Sequence, residues 1–145
     1  MILKDNLTII MPSRHPLKDK PRGWKVLNPV QIVKEHHEMH YMYCDSIASV
    51  NTKYFTIVDD DDPFPSFPER IEPTGIIFGD THITYRGNYT QRKMPVWNLD
   101  LHLHNELLVH RAICSTEAAL EVLKEVRDLP LYTEHYLYLH LAHVS

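Results

Sequence analysis

Residues Tyr54-Phe55-Thr56-Ile57-Val58 run without a break into Asp59-Asp60-Asp61-Asp62, and this junction constrains the fold more than any other segment. Five consecutive β-branched or aromatic residues, with no polar alternation, read as a strand covered on both faces. Four adjacent carboxylates cannot follow it into an apolar interior. Unit charges ~6 Å apart repel by roughly 0.7 kcal/mol per pair in water, and by about 3 kcal/mol at an effective dielectric of 20. The strand therefore ends where the aspartates begin. A solvated acidic loop is the bland reading. The other is a cation site, because the carboxyl edge of a buried strand is where open α/β sheets bind ligands. Hard oxygen donors of this kind select Mg²⁺ or Mn²⁺, commonly shared with substrate phosphates.

The remaining pattern is that of an α/β chain. Leu7-Thr8-Ile9-Ile10-Met11 reads as a second buried strand, closed by Pro12-Ser13. Residues 13–29 hold three prolines, one glycine and a basic cluster, and read as one long loop. Val30, Val33, His37, Tyr41, Cys44, Ile47 and Ala48 recur at helical spacing, which predicts an amphipathic helix over 30–49. Gly75-Ile76-Ile77-Phe78-Gly79 predicts a third strand. Residues 82–85 and 96–103 are further strand candidates, with Arg86-Gly87-Asn88 as the turn between them. A second helix is expected over 116–127, capped by Ser115 or Thr116, with Ala119, Leu120, Leu123 and Val126 as its buried stripe. Residues 134–143 also read as helical. Strands alternating with helices indicate a compact α/β domain, a mixed β-sheet flanked by helices, spanning 1–145.

Composition excludes several classes. The 145 residues suffice for one core, and 43% hydrophobic with 23% charged residues is ordinary for a folded chain. No apolar run is long enough to span a bilayer, and no signal peptide pattern opens the chain, so a cytoplasmic location is expected. Cys44 and Cys114 lack disulfide-framework or metal-ligand spacing and are expected as buried thiols. A net charge of −4 opposes broad nucleic-acid affinity, although Lys18, Lys20, Arg22 and Lys25 crowd one segment.

In order along the chain, several segments resemble GT-A fold glycosyltransferases, especially the inverting group similar to family 2. Leu7 to Ser13 looks like the opening strand of that fold. Tyr54 to Asp62 resembles the strand leading into its Asp-x-Asp-Asp motif, and Thr74 to Asp80 is similar to the strand that follows. Val109-His110-Arg111, a helix, Leu129-Pro130 and Glu134-His135 look like the acceptor-side segment that ends in a Glu-Asp motif, with His135 replacing the second acid. The family usually has another strand, carrying an acid for the nucleotide base, and a third strand before the Asp-x-Asp motif. Between Ser13 and Tyr54 this chain reads as one loop and one helix, hence a compact version.

The resemblance implies a GT-A-like fold and an inverting, metal-dependent transfer of a sugar from a nucleoside-diphosphate donor to an acceptor hydroxyl. Asp59, Asp61 and Asp62 would hold Mn²⁺ or Mg²⁺, completed by a late histidine such as His140. Glu134 would be the general base. Pro12, Arg14, Lys18, Arg22, Asp60, Asp80, His110, Arg111 and His135 would line the substrate. The acceptor stays open between a glycan, a small molecule and a modified nucleic-acid base. So does a homo-oligomer whose partner subunit completes the nucleotide site.

Other readings stand beside it. Glu134 is equally explained as a charge favouring a helix N-terminus, and His140 as a surface histidine. The same pocket without turnover would make the chain a metal-nucleotide binding module. His36 and His40, four apart on the first helix, would suit a zinc hydrolase, although His36-His37-Glu38-Met39-His40 lacks the His-Glu-x-x-His spacing. His82-Ile83-Thr84 matches half of a two-histidine phosphoesterase signature whose second half is missing.

Overall fold

The computed structural model describes residues 1–30, 36–60, 64–72, 76–77, 81–85, 88–92 and 112–126. Seven strands and two helices lie in them: β1 (Leu7–Ile10), β2 (Lys25–Leu27), α1 (His36–Ala48), β3 (Tyr54–Ile57), β4 (Ile76–Ile77), β5 (Thr81–Tyr85), β6 (Asn88–Arg92), β7 (Ile113–Ser115) and α2 (Thr116–Val126). Five strands form one mixed sheet in the order β2-β1-β3-β7-β4, and β5 pairs with β6 as a separate two-stranded ribbon.

The two apolar runs become the neighbouring parallel strands β1 and β3, in register from Leu7 opposite Tyr54 to Ile10 opposite Ile57. All eight residues are buried, as an uninterrupted apolar run requires. Strand β2 joins the other side of β1, also parallel. Strand β7 runs antiparallel to both β3 and β4, so β4 points the same way as β3.

Side-chain alternation along the strands divides the core into two clusters. On one face Ile10, Phe55, Ile57 and Cys114 meet Met42, Tyr43, Cys44 and Ile47 of α1 and Ala119, Val122 and Leu123 of α2. On the other, Leu7, Ile9, Tyr54, Val58 and Ile113 pack against Leu3 and Ile71. The described helices thus both serve one face. The second face is closed by the chain's beginning, which pairs with residues 69–71 through Leu3 N–H to Glu69 O (2.9 Å) and Ile71 N–H to Met1 O (3.1 Å). Trp24 and Phe67, with ring centroids 5.1 Å apart, extend that cover, and the Lys4 ammonium lies 5.3 Å from the Trp24 ring.

Several boundaries differ from the sequence reading. The segment 13–29 is not all loop, because β2 pairs within it at Thr8–Lys25, Ile9–Val26 and Ile10–Leu27. Val30 is outside the helix, bridged in parallel to Ser13 and 46% exposed. The buried stripe of α1 is His40, Tyr43, Cys44 and Ile47, while Tyr41 and Ala48 face outward. Cys44 and Ile47 of the expected stripe are buried, and Tyr41 and Ala48 are not, because aromatic and small residues occur on both sides of this helix. The hairpin partner of β5 is Asn88–Arg92, closer than the expected 96–103, which lies outside the described residues along with the helix expected over 134–143. Strand β7 was not anticipated: at three residues it is too short to show a period.

Helix α2 begins as the sequence suggests. Ser115 Oγ accepts from Ala118 N–H at 3.3 Å, the N-cap bond that serves an otherwise orphaned amide. Glu117 adds favourable negative charge in the first turn. Helix α1 ends with Ser49, whose Oγ–H donates to Asp45 O at 2.9 Å. Both cysteines are buried thiols, as expected.

Candidate functional site

The site is built by chain direction at the carboxyl ends of β1 and β3. The chain leaving β1 goes to β2, on one side of the sheet. The chain after β3 packs first on the β1–β2 side, with Phe64 and Phe67 against Trp24 and residues 69–71 beside the chain's beginning, before β4 forms on the other side of β3, again parallel. Leu17 and Trp24 from the connection after β1 and Phe67 and Ile71 from that after β3 cover the same face, and the carboxyl ends of the two strands are where both connections begin.

Hydrogen bonds show how far each neighbour follows β1, whose successive residues bond alternately to β3 and β2. Val58 N–H donates to Ile10 O at 2.9 Å, the last bond between the two strands. One residue on, Met11 N–H turns to Leu27 O at 2.9 Å, and Ser13 N–H follows with Pro29 O at 3.1 Å. The chain after β1 therefore stays with β2 as far as Ser13, while Asp59 and Asp60 continue from β3. Val58 is fully buried, Asp59 half-buried and Asp60 exposed, so the transition from core to solvent takes two residues. This is the abrupt end that the acidic run requires.

Pro12 and Arg14 lie on the loop directly beyond β1, Pro12 half-buried and Arg14 exposed, with exposed Lys18 further along it. The structure brings this loop to the same end of the sheet as Asp59 and Asp60. It does not do so for Arg22. That residue precedes β2, next to Gly23, at the opposite end of the parallel strands, where a Cβ on Gly23 would lie 2.7 Å from Lys4 Nζ. Position in sequence placed Arg22 in the same loop, and the formation of β2 separates it. Asp61, Asp62, Asp80, His110, Arg111, Glu134, His135 and His140 lie outside the described residues.

Asn28 escaped the sequence reading. Its Nδ2 donates to Met11 O at 2.6 Å and to Ser13 Oγ at 2.8 Å, and its Oδ1 accepts from Leu17 N–H at 3.1 Å. Ser13 Oγ–H in turn donates to His15 O at 2.6 Å. The signal was present in the Asn28-Pro29 pair, a turn-forming dipeptide at the end of a short strand.

As a cation site, the described donors are hard and few. Asp59 and Asp60 supply two carboxylates, and no group of three or more His, Cys, Asp or Glu that could hold a metal occurs among the described residues. Two carboxylates match what Mg²⁺ commonly takes from protein when it also holds waters and substrate phosphates. The residues present therefore fit a shared metal-phosphate site better than a metal-saturating cage. The zinc alternative gains no ligand set here. His40 is 2% exposed inside the core, with Nε2 3.7 Å from Cys44 Sγ. No described helix is long and apolar enough to cross a membrane.

Comparison with protein-family models, with curated proteins and with solved structures yields no match.

Proposed function

We propose that this chain is a metal-dependent, inverting glycosyltransferase of GT-A-like architecture, taking a sugar from a nucleoside-diphosphate donor to an acceptor hydroxyl. One observation carries the reading. The acidic run starts at the carboxyl end of the buried parallel strand β3, the end of the sheet at which the chain also leaves β1. A solvated acidic loop has no need of that position. A ligand carrying phosphate and a dication does.

In this proposal Asp59, Asp61 and Asp62 hold Mn²⁺ or Mg²⁺, with His140 completing the set. When bound, the ion acts as a Lewis acid toward the departing diphosphate. Arg14 and Lys18 balance phosphate charge from the β1 side, with Pro12 shaping the loop, and Asp60 and Asp80 contact the donor. Glu134 takes the proton of the acceptor hydroxyl as that oxygen attacks, and His110, Arg111 and His135 orient the acceptor. The β2 strand supplies the additional parallel strand that the sequence reading lacked. It is followed by Asn28, where the resemblance would place an acid for the base.

The test is a thermal-shift series with nucleoside diphosphates and nucleotide sugars, each with and without Mn²⁺ or Mg²⁺, followed by donor hydrolysis. Metal-dependent stabilisation by a nucleoside diphosphate, with slow hydrolysis abolished by Asp61→Asn, is the expected result. Stabilisation without hydrolysis of any donor would reduce the chain to a binding module. No stabilisation at all would end the reading.

A further inference from the structure

Charge is distributed unevenly along this chain. Residues 1–30 hold six lysines and arginines against two aspartates, a net of +4 in a chain whose total is −4. All six cations are exposed, and among the described residues no carboxylate pairs with Lys4, Lys18, Lys20 or Arg22. Lys18, Lys20 and Arg22 follow one another along the connection that crosses the second face of the sheet to Trp24, at the amino end of β2. Three rings gather there. Trp24 lies 5.1 Å from Phe67 and 6.2 Å from Phe64, and the Lys4 ammonium stands 5.3 Å from the Trp24 centroid. Trp24 and Phe67 pack on the second core cluster, which accounts for them. Phe64 belongs to neither cluster and is 42% exposed, its ring edge-on to Phe67 at 5.6 Å. Core packing explains neither this open ring nor the unpaired cations beside it. Like charges brought together cost stability unless an anion relieves them.

A single strand of nucleic acid matches both features. Its phosphates repeat with every nucleotide and suit a row of cations, and each base has a π-face that stacks on an open aromatic ring. An acidic peptide would use the cations and leave the ring idle. We propose that this face binds single-stranded nucleic acid, with a base stacked on Phe64 and phosphates on Lys4, Lys20 and Arg22. The negative remainder of the chain confines the strand to this face. Phe64 follows Asp60 by four residues, a reach of at most ~14 Å, so the strand passes close to the acidic run. In the glycosyltransferase reading, on which this last step alone rests, the strand carries the acceptor hydroxyl.

The test is fluorescence anisotropy of labelled oligodeoxythymidine and oligouridine of about ten nucleotides, inside the usual range of single-strand site sizes. Each is titrated over a series of salt concentrations with wild type, Phe64→Ala, Lys20→Ala, Arg22→Ala and Lys124→Ala. Wild type binds at least one of the two, with a slope of log affinity on log salt of about −2, the value for three phosphate contacts. Lys20→Ala and Arg22→Ala each weaken binding at low salt and bring that slope toward zero by about 0.7. Phe64→Ala weakens binding about tenfold at every salt concentration and leaves the slope unchanged, because stacking releases no counterions. Lys124→Ala removes the same charge from α2 and changes neither quantity. Phe64 lies outside the core clusters, so its variant folds, and its melting temperature checks this.

No binding of either oligonucleotide at low salt overturns the proposal. So does wild-type affinity in Phe64→Ala, or a loss in Lys124→Ala equal to that in Arg22→Ala. Capture of phosphatidylserine vesicles that depends on Phe64, with no oligonucleotide bound, assigns the face to a membrane surface and overturns it as well. Oligonucleotide binding that follows the expected pattern, in a chain that no nucleoside diphosphate stabilises, upholds the surface and removes the enzyme reading. Stabilisation by a metal and nucleoside diphosphate that is lost in Asp61→Asn, without oligonucleotide binding, removes the surface and leaves that reading standing.

Discussion

Val58 N–H donates to Ile10 O at 2.9 Å, placing the residue before Asp59 beside the last residue of β1. That bond fixes the relation between the acidic run and the basic loop. From fully buried Val58 the chain is exposed by Asp60, whereas from fully buried Ile10 it stays buried at Met11 and Ser13 and is exposed from Arg14.

The acidic run stores repulsion that a cation relieves. Without metal, Asp60→Asn raises the melting temperature slightly, by an amount worth less than about 1 kcal/mol for so exposed a charge. The gain vanishes in 1 M salt, where screening acts within about 3 Å. Thermal melts at low and high salt check this. A gain that persists unchanged in high salt would mean the carboxylate is unfavourable for another reason.

Thr56 is fully buried in β3, and its hydroxyl has no hydrogen-bond partner among the described residues. By alternation it shares the face of Tyr54 and Val58, against Ile9 across the strand pair. Thr56→Val replaces the unpaired hydroxyl with a methyl of similar size and stabilises the fold by about 1 kcal/mol or more. Urea unfolding reads this as a higher midpoint at unchanged slope. Loss of stability would show that the hydroxyl has a partner in solution.

Gly23 has φ of +77°, and a Cβ there would stand 2.7 Å from Lys4 Nζ. The ammonium is the end of a flexible chain and can move, so the backbone sets the penalty. Gly23→Ala costs about 1–2 kcal/mol, the left-handed penalty for a residue with a Cβ. Adding Lys4→Ala does not restore it. Full recovery in the double variant would instead assign the cost to the side-chain clash.

Ser115→Ala removes the acceptor for Ala118 N–H at the start of α2 and costs about 0.5–2 kcal/mol. Ser115→Asp recovers most of it, since a carboxylate accepts the same bond and suits the helix N-terminus. Equal stability of Ser115→Ala and wild type would mean that solvent caps the helix equally well.

Legibility from sequence followed the strength of local signals. Strands β1 and β3 were visible because interior parallel strands are apolar at every position, and α2 because a capping serine precedes an apolar stripe. Strands β2 and β7, three residues each, carry no period of their own and exist through their partners. Of the candidate site, the aspartates and Arg14 were readable as charges. Asn28 was not, because an asparagine before proline looks the same whether it turns a loop or clamps one.

Local chemistry alone determined that an apolar strand must end at Asp59, that Ser115 begins a helix, and that both cysteines are buried. Tertiary structure decided which strands are neighbours, and therefore that the loop after β1 faces the acidic run while Arg22 is carried to the far end of the sheet. The physical reason is the range of the forces. Charge repulsion, capping and periodicity act within a few residues, whereas strand order is set by burying two apolar faces at once, which no single segment encodes.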